Sequence, residues 1–301
     1  MSADHEKIEL KFKNLSTILK SMGSVLVAFS GGVDSTLLVK VCKKVLGDKV
    51  LAVTALSDTT SRNERKDALR LAKKLNVEHL WLKSHEMELA DFISNPPDKC
   101  YICKKHRFKS LITLAEERGI PYVIDGENAD DHRDFRPGSR ATKELGVRSP
   151  LKEANLSKKE IRQLSKKLGL ETWNKPSAAC LASRIFYHTP ITSKKLKQVD
   201  EGESFLYNLG LSGQIRVRHH GDVARLEVDV RNIVKITDEM IRNRIVKYFK
   251  SLGFKYTTLD LEGYSMGSLN RSLFPGQKGQ KNGLPTSEKT SKTCSKRPNG
   301  Y

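Results

Sequence analysis

Residues 25–35 read V-L-V-A-F-S-G-G-V-D-S, and this stretch decides the fold. The first part is apolar and predicts a buried strand. The second part, Ser30 to Ser35, leads into T-L-L-V-K-V-C-K-K-V-L-G, which predicts a helix that ends at Gly47. Glycines at such a junction permit positive φ and close backbone approach, and the start of the helix offers free N–H groups to an anion. The stretch therefore predicts a phosphate-binding loop between a strand and a helix.

The side chains of this loop suit a nucleotide phosphate. Ser30 and Ser35 supply hydroxyl donors, and Asp34 is a candidate ligand for a metal ion that in turn binds phosphate. The alternative is an ordinary turn in which Asp34 or Ser35 caps the helix. We expect the nucleotide to be bound by Ser30, Gly31, Gly32, Asp34 and Ser35.

The first half of the chain repeats this alternation of strand and helix. Further apolar strands are predicted at K-V-L-A-V-T-A-L, V-E-H-L-W-L and Y-V-I-D-G, with helices between them, one of which covers residues 104–118. A capping box from Ser157 to Glu160 begins another helix, which runs to Leu170. The pattern predicts an α/β fold with a Rossmann-like parallel sheet that is covered on both faces.

The pattern changes after Pro190. A helix over residues 192–210 is followed by two alternating strands, Q-I-R-V-R-H and V-A-R-L-E-V, then by a helix and a last strand, Y-T-T-L-D-L. From about residue 274 the chain is rich in Gly, Ser, Lys, Pro and Thr, which is typical of disorder. We therefore predict three parts: an α/β domain (1–185), a small α+β domain for substrate binding or assembly (186–273) and a disordered basic tail (274–301).

Composition limits the possible compartments and partners. We see no apolar leader in the 301 residues and no apolar run long enough for a membrane span, so we expect no membrane partner. The five cysteines do not suggest a disulfide framework, so we expect a cytoplasmic protein. The net charge is +19, of which +6 lies from Arg271 to Tyr301. This charge suits phosphorylated small molecules as well as RNA. Because the basic residues do not interleave with aromatic ones, we expect no nucleic-acid partner.

A second polar loop, D-G-E-N-A-D-D at residues 125–131, follows a predicted strand. Ligands of parallel α/β sheets bind at the carboxyl ends of the strands, so this loop is expected to face the phosphate loop. Gly126 and Asp130 are candidates for binding the cofactor, and the adjacent acids suit Mg²⁺ or a polar substrate. The alternative is a solvated acidic turn.

Cys180 is isolated within P-S-A-A-C-L-A-S-R, residues 176–184, with no neighbouring Cys to pair with and no His to act as its base. Cys100 and Cys103 form a C-x-x-C pair, which supplies only two of the four ligands of a structural zinc site. An iron–sulfur cluster would need thiols from elsewhere or from another copy of the chain. The pair is interpreted as a redox-accessible or structural loop.

Basic residues near Cys180 are candidates for activating its thiol. Arg184 is four residues away and Lys175 is five, and a nearby cation lowers the pKa of a thiol. Arg184 is alternatively a substrate-phosphate ligand, and Ser183 is a candidate for binding the substrate.

Arginines on a later strand extend this set. Arg216 and Arg218 point to the same face and suit a phosphate or carboxylate clamp, unless that face is simply solvated. Glu203 and Glu227 are candidates for binding a metal, together with Asp34, or for holding the arginines. His219 and His220 are expected at the surface.

The S-G-G-x-D-S loop resembles the PP-loop of the ATP pyrophosphatase superfamily, over about residues 20–185. Four further segments resemble the ATP-dependent sacrificial sulfur transferases of the pathway to the nickel-pincer cofactor of lactate racemase, and extend the likeness to about residues 10–265. They are P-P-D-K-C-Y-x-C-K, D-G-E-N-A-D-D, K-P-S-A-A-C-L-A-S-R and R-V-R-H-H-G-D-V-A-R-L-E-V. One departure is Phe186-Tyr187-His188, where the family pattern has Pro-Tyr-Gly, and the basic tail is another.

The resemblance implies a reaction that uses ATP and Mg²⁺. AMP would be transferred to a carboxylate of pyridinium-3,5-biscarboxylic acid mononucleotide, with release of pyrophosphate. The Cys180 thiolate would attack the acyl-adenylate, and cleavage of its Cβ–S bond would leave thiocarboxylate on the product and dehydroalanine in the chain. The resemblance also implies a homo-oligomer and a small-molecule nucleotide as the substrate.

Two other functions are compatible with a PP-loop. A tRNA-thiolating enzyme would use the basic surface to hold RNA and a persulfide on Cys100, Cys103 or Cys180 to carry sulfur. An ammonia-using amide synthetase would give Cys180 only a packing role.

Overall fold

The computed structural model describes residues 3–131, 138–176 and 179–272. Helices and strands alternate through the first part of the chain, as the sequence predicted. The elements there are α1 (Ala3–Met22), β1 (Val25–Ala28), α2 (Val33–Leu46), β2 (Val50–Leu56), α3 (Arg62–Lys74), β3 (Glu78–Lys83), α4 (Ala90–Ile93), α5 (Lys99–Glu117), β4 (Val123–Ile124), α6 (Gly138–Glu144), α7 (Pro150–Glu153) and α8 (Lys158–Lys167).

The strands of this part form a parallel sheet, which has four strands within the described residues, in the order β3-β2-β1-β4. Val25 of β1 lies beside Val50 of β2, and Leu26 lies beside Val123 of β4. The carboxyl ends of these strands therefore lie along one edge, where both polar loops begin. This arrangement confirms the predicted Rossmann-like fold.

Both faces of the sheet are covered at β1, where the residues that point to either face are apolar. Val25 and Val27 of β1 pack into a core with α1, α2, α3, α7 and α8. Leu26, on the opposite face, packs with Phe108 and Leu111 of α5.

The second part of the described chain contains a small mixed sheet of three strands, in the order β5-β6-β7. Strands β5 and β6 are antiparallel, and β6 and β7 are parallel. The elements are α9 (Ser193–Asn208), β5 (Ile215–His220), β6 (Val223–Val228), α10 (Ile233–Thr237), α11 (Glu239–Ser251) and β7 (Tyr256–Leu259). This confirms the predicted α+β order.

A separate hydrophobic core supports the small sheet. Val217 of β5, Leu206 of α9 and Phe249 of α11 belong to it, and so do Phe92 and Ile185, which precede the sheet in sequence. The core thus spans both sides of the predicted boundary at residue 185, and that boundary stays a prediction.

Several local expectations have outcomes in the structure. The capping box at Ser157 and Glu160 is confirmed. The helix predicted from residue 104 begins earlier, at Lys99, so Cys100 and Cys103 lie within its first five residues and the prediction of a loop there was wrong.

The described residues up to Tyr264 form one compact unit, and those from Ser265 belong to a second unit, which contains the 3-10 turn Ser268–Ser272. The predicted tail, 274–301, lies outside the described residues. Among the described helices, none has the length and apolar character that crossing a membrane requires.

Candidate active site

The phosphate loop has a geometry that depends on its glycine. Gly31 has a φ of 67°, and a Cβ placed there would lie 3.3 Å from the backbone of Ala68. The hydroxyls of Ser30 and Ser35 lie 3.1 Å apart, and the Ser30 hydroxyl accepts a hydrogen bond from the Gly32 N–H at 3.3 Å. No side chain in the described chain caps the start of α2, contrary to the alternative of an ordinary capped turn. The first N–H groups of the helix are therefore not used by a cap.

The D-G-E-N-A-D-D loop lies directly against the phosphate loop, as expected. A Cβ on Gly126 would lie 3.1 Å from the backbone nitrogen of Ser35. The Asn128 side chain donates to Asp34 Oδ1 at 3.4 Å, and Lys158 forms an ion pair with Asp34 Oδ2. Asp34 is partly exposed, at 21% of its side chain. A carboxylate in this position fits Mg²⁺, which usually binds one or two carboxylates together with substrate phosphates.

The other acids of this loop are engaged within the fold. Asp130 accepts a hydrogen bond from the Lys158 N–H at 2.8 Å, at the start of α8, and Asp131 accepts from the Asn128 N–H at 2.9 Å. These bonds shape the loop. A cofactor-binding role for Asp130 and Gly126 stays a prediction.

Lys104 is a site residue that the sequence pattern did not single out. Its ammonium lies 2.5 Å from Glu127 Oε1 and 3.1 Å from Asp125 Oδ2. Burial raises the pKa of Asp125, although the charge of Lys104 opposes that effect. Lys104 therefore anchors α5 to the loop beside the phosphate site.

The segment that carries Cys180 begins at the phosphate loop. Lys175 donates to the carbonyl oxygen of Gly31 at 3.0 Å and pairs with Asp67 at 2.7 Å. The structure thus attaches Lys175 to the nucleotide loop. The effect of the Lys175 charge on Cys180, suggested by their spacing in the sequence, stays a prediction.

Backbone contacts hold Cys180 at the start of a 3-10 turn, Leu181–Arg184. The Leu181 N–H donates to the carbonyl oxygen of Thr59 at 2.9 Å. The carbonyl oxygen of Cys180 accepts from the Ser183 N–H at 2.9 Å and from the Ser183 hydroxyl at 2.7 Å. The Cys180 side chain itself is half-buried.

Arg184 is buried beneath this turn. Its guanidinium makes two hydrogen bonds with the Glu203 carboxylate, at 2.8 and 3.0 Å. It also donates to the carbonyl oxygens of Ala179 at 2.5 Å and Cys180 at 3.1 Å, and to the Ser183 hydroxyl at 2.8 Å. Its charge is thus balanced by Glu203, and its donors face the backbone of the cysteine segment. A catalytic role for Arg184 stays a prediction.

Arg216 and Arg218 share one face of β5, and both are buried, which excludes the alternative of a solvated strand face. Arg218 pairs with Glu227 at 2.7 Å and donates to the carbonyl oxygen of Ser183 at 2.9 Å. The Arg216 guanidinium lies 5.2 Å from the centre of the Tyr264 ring. Burial lowers the pKa of Arg216, and the charge of Arg184 lowers it further. The strand therefore reaches the turn that carries Cys180.

Glu203 and Glu227 hold the arginines, which was one of the two roles considered for them. Glu203 also accepts from the Val217 N–H at 3.0 Å, and Glu227 also pairs with Arg225 at 3.1 Å. Residues 3–131, 138–176 and 179–272 contain no cluster of three or more His, Cys, Asp or Glu side chains that could hold a metal. Metal binding by Asp34, Glu203 or Glu227 stays a prediction.

Cys100 and Cys103 lie close enough to Cys180 for their charges to interact, which no pattern in the sequence indicates. Burial raises the pKa of Cys103 to about 12. Cys100 is accessible to solvent, but protein atoms surround its sulfur. The resulting desolvation, and to a smaller extent the charge of Cys180, raises the pKa of the Cys100 thiol to about 11. Cys42 is buried in α2, in the main core of the parallel sheet.

Two histidines differ from expectation. His219 is buried and its ring lies 3.1 Å from Gln198 Oε1, so its expected surface position was wrong, whereas His220 is exposed as predicted. His188 stands where the resembled family has Gly, and it has a φ of 62°. The departure therefore keeps the left-handed backbone for which glycine is the favoured residue.

Comparison of the sequence with known proteins identifies relatives of this chain. The family model described as NAD synthase matches residues 4–100. The chain is 42% identical to an uncharacterised protein of Synechocystis sp., over 88% of this chain and 99% of that protein. It is 38% identical to pyridinium-3,5-bisthiocarboxylic acid mononucleotide synthase of Lactiplantibacillus plantarum, over 89% of this chain and 96% of the synthase. It is 28% identical to one of the subunits of the glutamine-hydrolysing GMP synthase of Methanococcus maripaludis, over 55% of this chain and 54% of that relative.

Proposed function

Because the chain belongs to the PP-loop family that includes pyridinium-3,5-bisthiocarboxylic acid mononucleotide synthase, we propose that it is an ATP-dependent sulfur transferase of nickel-pincer cofactor biosynthesis. The observation that carries the proposal is the position of Lys175 and Arg184, on either side of Cys180 in the sequence. Lys175 is bonded to the phosphate loop, and Arg184 is bonded to the buried Glu203 beside the small sheet. Cys180 is thereby held between the nucleotide loop and the arginines of β5.

The first step is adenylylation of a substrate carboxylate. The N–H groups at the start of α2 and the hydroxyls of Ser30 and Ser35 bind the phosphates of ATP. Asp34 is the residue that would hold Mg²⁺, which neutralises phosphate charge when it is bound. A carboxylate oxygen of pyridinium-3,5-biscarboxylic acid mononucleotide displaces pyrophosphate from the α-phosphorus. Ser183, Arg216 and Arg218 are the residues proposed to hold the substrate.

The second step transfers sulfur. The Cys180 thiolate attacks the acyl carbon, a C–S bond forms, and the C–O bond to AMP breaks. Loss of the Cα proton of Cys180 then drives cleavage of its Cβ–S bond. The electron pair of that bond leaves with sulfur as the thiocarboxylate, and residue 180 becomes dehydroalanine.

A second source of sulfur is supported by the nearness of Cys100 and Cys103 to Cys180. In this route Cys180 carries a persulfide, whose outer sulfur attacks the acyl-adenylate. A thiolate of Cys100 or Cys103 then displaces the product from Cys180 and forms a disulfide. An external thiol reductant and a persulfide donor return the protein to its starting state, so the chain would not be consumed.

Intact-protein mass spectrometry separates the two routes. The protein is incubated with ATP, Mg²⁺ and pyridinium-3,5-biscarboxylic acid mononucleotide, once alone and once with a persulfide donor and a thiol reductant, and then weighed. Loss of about 34 Da at residue 180, with one thiocarboxylate formed per chain, supports the sacrificial route. An unchanged mass with more than one thiocarboxylate per chain supports the persulfide route.

Three variants act as controls. Cys180→Ala should release pyrophosphate in the presence of substrate but form no thiocarboxylate. Cys100→Ser and Cys103→Ser should leave the sacrificial route intact. Normal sulfur transfer by Cys180→Ala would contradict the role of Cys180 in both routes, and thiolation of tRNA alone would contradict the proposed substrate.

A further inference from the structure

Asn95, which lies between α4 and α5, is a fully buried polar residue in an unfavourable conformation. None of its surface is exposed, and its backbone has a φ of 58°, in the left-handed region. The Oδ1 atom of its side chain is buried and has no hydrogen-bond partner among the described residues. A left-handed φ and an unpaired buried oxygen both cost free energy. Other contacts of Asn95 must therefore offset these costs.

The amide nitrogen of the Asn95 side chain makes those contacts. It donates to three backbone carbonyl oxygens, those of Ile185 at 3.3 Å, Phe186 at 2.7 Å and Thr189 at 3.0 Å. In return, the carbonyl oxygen of Asn95 accepts from the His188 N–H at 3.0 Å. Because all three partners of the side chain are carbonyl oxygens, only a donor can satisfy them. An aspartate carboxylate, which has the same shape but no N–H, cannot make these bonds.

The residues held by this amide directly follow the turn that carries Cys180. That turn, Leu181–Arg184, ends at Ile185. A further hydrogen bond lies beside those of the amide, because the Ile191 N–H donates at 2.8 Å to the carbonyl oxygen of Ile93, the last residue of α4. The end of the Cys180 turn is thus fastened to the region between α4 and α5.

The small sheet holds the same point from another direction. Ile185 forms a parallel bridge with His219 of β5. The end of the turn therefore lies between β5 and the residues that precede α5, and Asn95 supplies the bonds on the α5 side. Loss of its amide would leave that side of the segment without the three side-chain bonds.

We propose that Asn95 is a positioning residue, whose amide holds the Cys180 turn where its thiol meets the acyl-adenylate. Asn95 acts through backbone atoms of this segment and not on the reacting atoms. Within the described chain none of its hydrogen bonds reaches the phosphate loop, so its loss should spare adenylylation and impair sulfur transfer. The inference rests on the proposed role of Cys180, but one of its two tests needs no sulfur transfer.

The first test compares two products of the whole protein with ATP, Mg²⁺ and the pyridinium substrate. Early in the reaction, pyrophosphate reports adenylylation and thiocarboxylate reports sulfur transfer. Asn95→Gly removes the amide and suits the left-handed backbone, and it should raise the ratio of pyrophosphate to thiocarboxylate at least about tenfold, because small errors of position slow a reaction strongly. Asn95→Asp should raise it as well. Unfolded chains form neither product, so a loss of folded protein alone leaves the ratio unchanged.

Asn232→Gly is the matched control for this ratio. Asn232 is also buried, and its amide donates at 2.7 Å to the carbonyl oxygen of Ser212, in the loop between α9 and β5. The variant therefore loses a comparable bond outside the Cys180 turn. Its product ratio should equal that of the wild type.

The second test measures hydrogen exchange without substrate, by mass spectrometry of a peptide that covers the Cys180 turn. A peptide from α2 serves as the reference for global stability. In Asn95→Gly the amides of the turn should exchange about tenfold faster than in the wild type, because the bonds that hold the segment are lost, while those of α2 stay unchanged.

An unchanged product ratio in Asn95→Gly would overturn the proposal. Equal acceleration of exchange in the turn and in α2 would assign Asn95 a role in stability alone and would overturn it too. If the wild type forms no thiocarboxylate, but exchange of the turn alone accelerates in Asn95→Gly, the proposed function fails and the hold of Asn95 on the turn stands.

Discussion

Glu86→Gln would remove one charge from a buried ion pair that supports the Cys180 segment. Glu86 is fully buried and accepts hydrogen bonds from Arg107, from Ser84 and, at 3.0 Å, from the Thr59 hydroxyl. The backbone of Thr59 in turn accepts from the Leu181 N–H at 2.9 Å. The substitution therefore tests whether this network holds the residues beside the reactive cysteine.

The magnitude follows from the pKa of Glu86. Burial alone would raise it, but the charge of Arg107 and the hydrogen bonds from Arg107, Ser57 and Ser84 lower it from 4.5 to about 2. This difference corresponds to roughly 3 kcal/mol. Because the folded-state pKa is the lower one, the stabilisation is complete above about pH 4.5 and is lost as the pH falls through about 2.

Urea unfolding at two pH values measures this contribution. The wild type should exceed Glu86→Gln in unfolding free energy by roughly 3 kcal/mol at pH 7 and by roughly 2 kcal/mol at pH 3.5. Glu88→Gln is the control, because Glu88 is exposed and its loss should leave the unfolding curve unchanged at pH 7. A difference below about 1 kcal/mol at pH 7, or one that grows as the pH falls, would refute the reasoning.

Three further outcomes are expected. In Gly31→Ala the new Cβ lies 3.3 Å from the Ala68 backbone at a φ of 67°, so the rate of ATP–pyrophosphate exchange should fall more than about tenfold. Exchange at the wild-type rate would contradict the role of the phosphate loop. His188→Gly relieves a left-handed backbone and should raise the melting temperature by about 2 °C, whereas a fall would show that the His188 side chain stabilises its turn. Glu203→Gln leaves the buried Arg184 without its counter-charge and should cost about 3 kcal/mol in urea unfolding, part of which the double variant with Arg184→Met should recover.

The fold was predictable because its signals are local. The strand β1 is apolar at every position, Gly31 and Gly32 follow it at once, and the capping box at Ser157 marks a helix start without any tertiary information. The start of α5 was missed because the C-x-x-C pair was interpreted as a loop, whereas Lys99 is buried and Cys103 packs against the core beneath the small sheet.

The site was predictable only in part. Contact between the two polar loops followed from the rule that ligands bind where parallel strands end. Which charges pair was not predictable, because Arg107 meets Glu86, and Arg184 meets Glu203, across the fold. The nearness of Cys100 and Cys103 to Cys180 likewise arises from the tertiary fold and has no pattern in the sequence.

The core beneath the small sheet limits how this protein can be rearranged by evolution or by engineering. Phe92, Leu181 and Ile185 are integral to it, although they come from the part of the chain that precedes the small sheet. Grafting residues 186–264 onto another PP-loop protein would strip this core of its own side chains and expose apolar surface. A workable chimaera must transplant three separate stretches together: the residues around Phe92, the turn that follows Cys180 and the small sheet. The unit that must be transferred as a whole is therefore discontinuous in sequence. A fusion made at residue 185 should be insoluble.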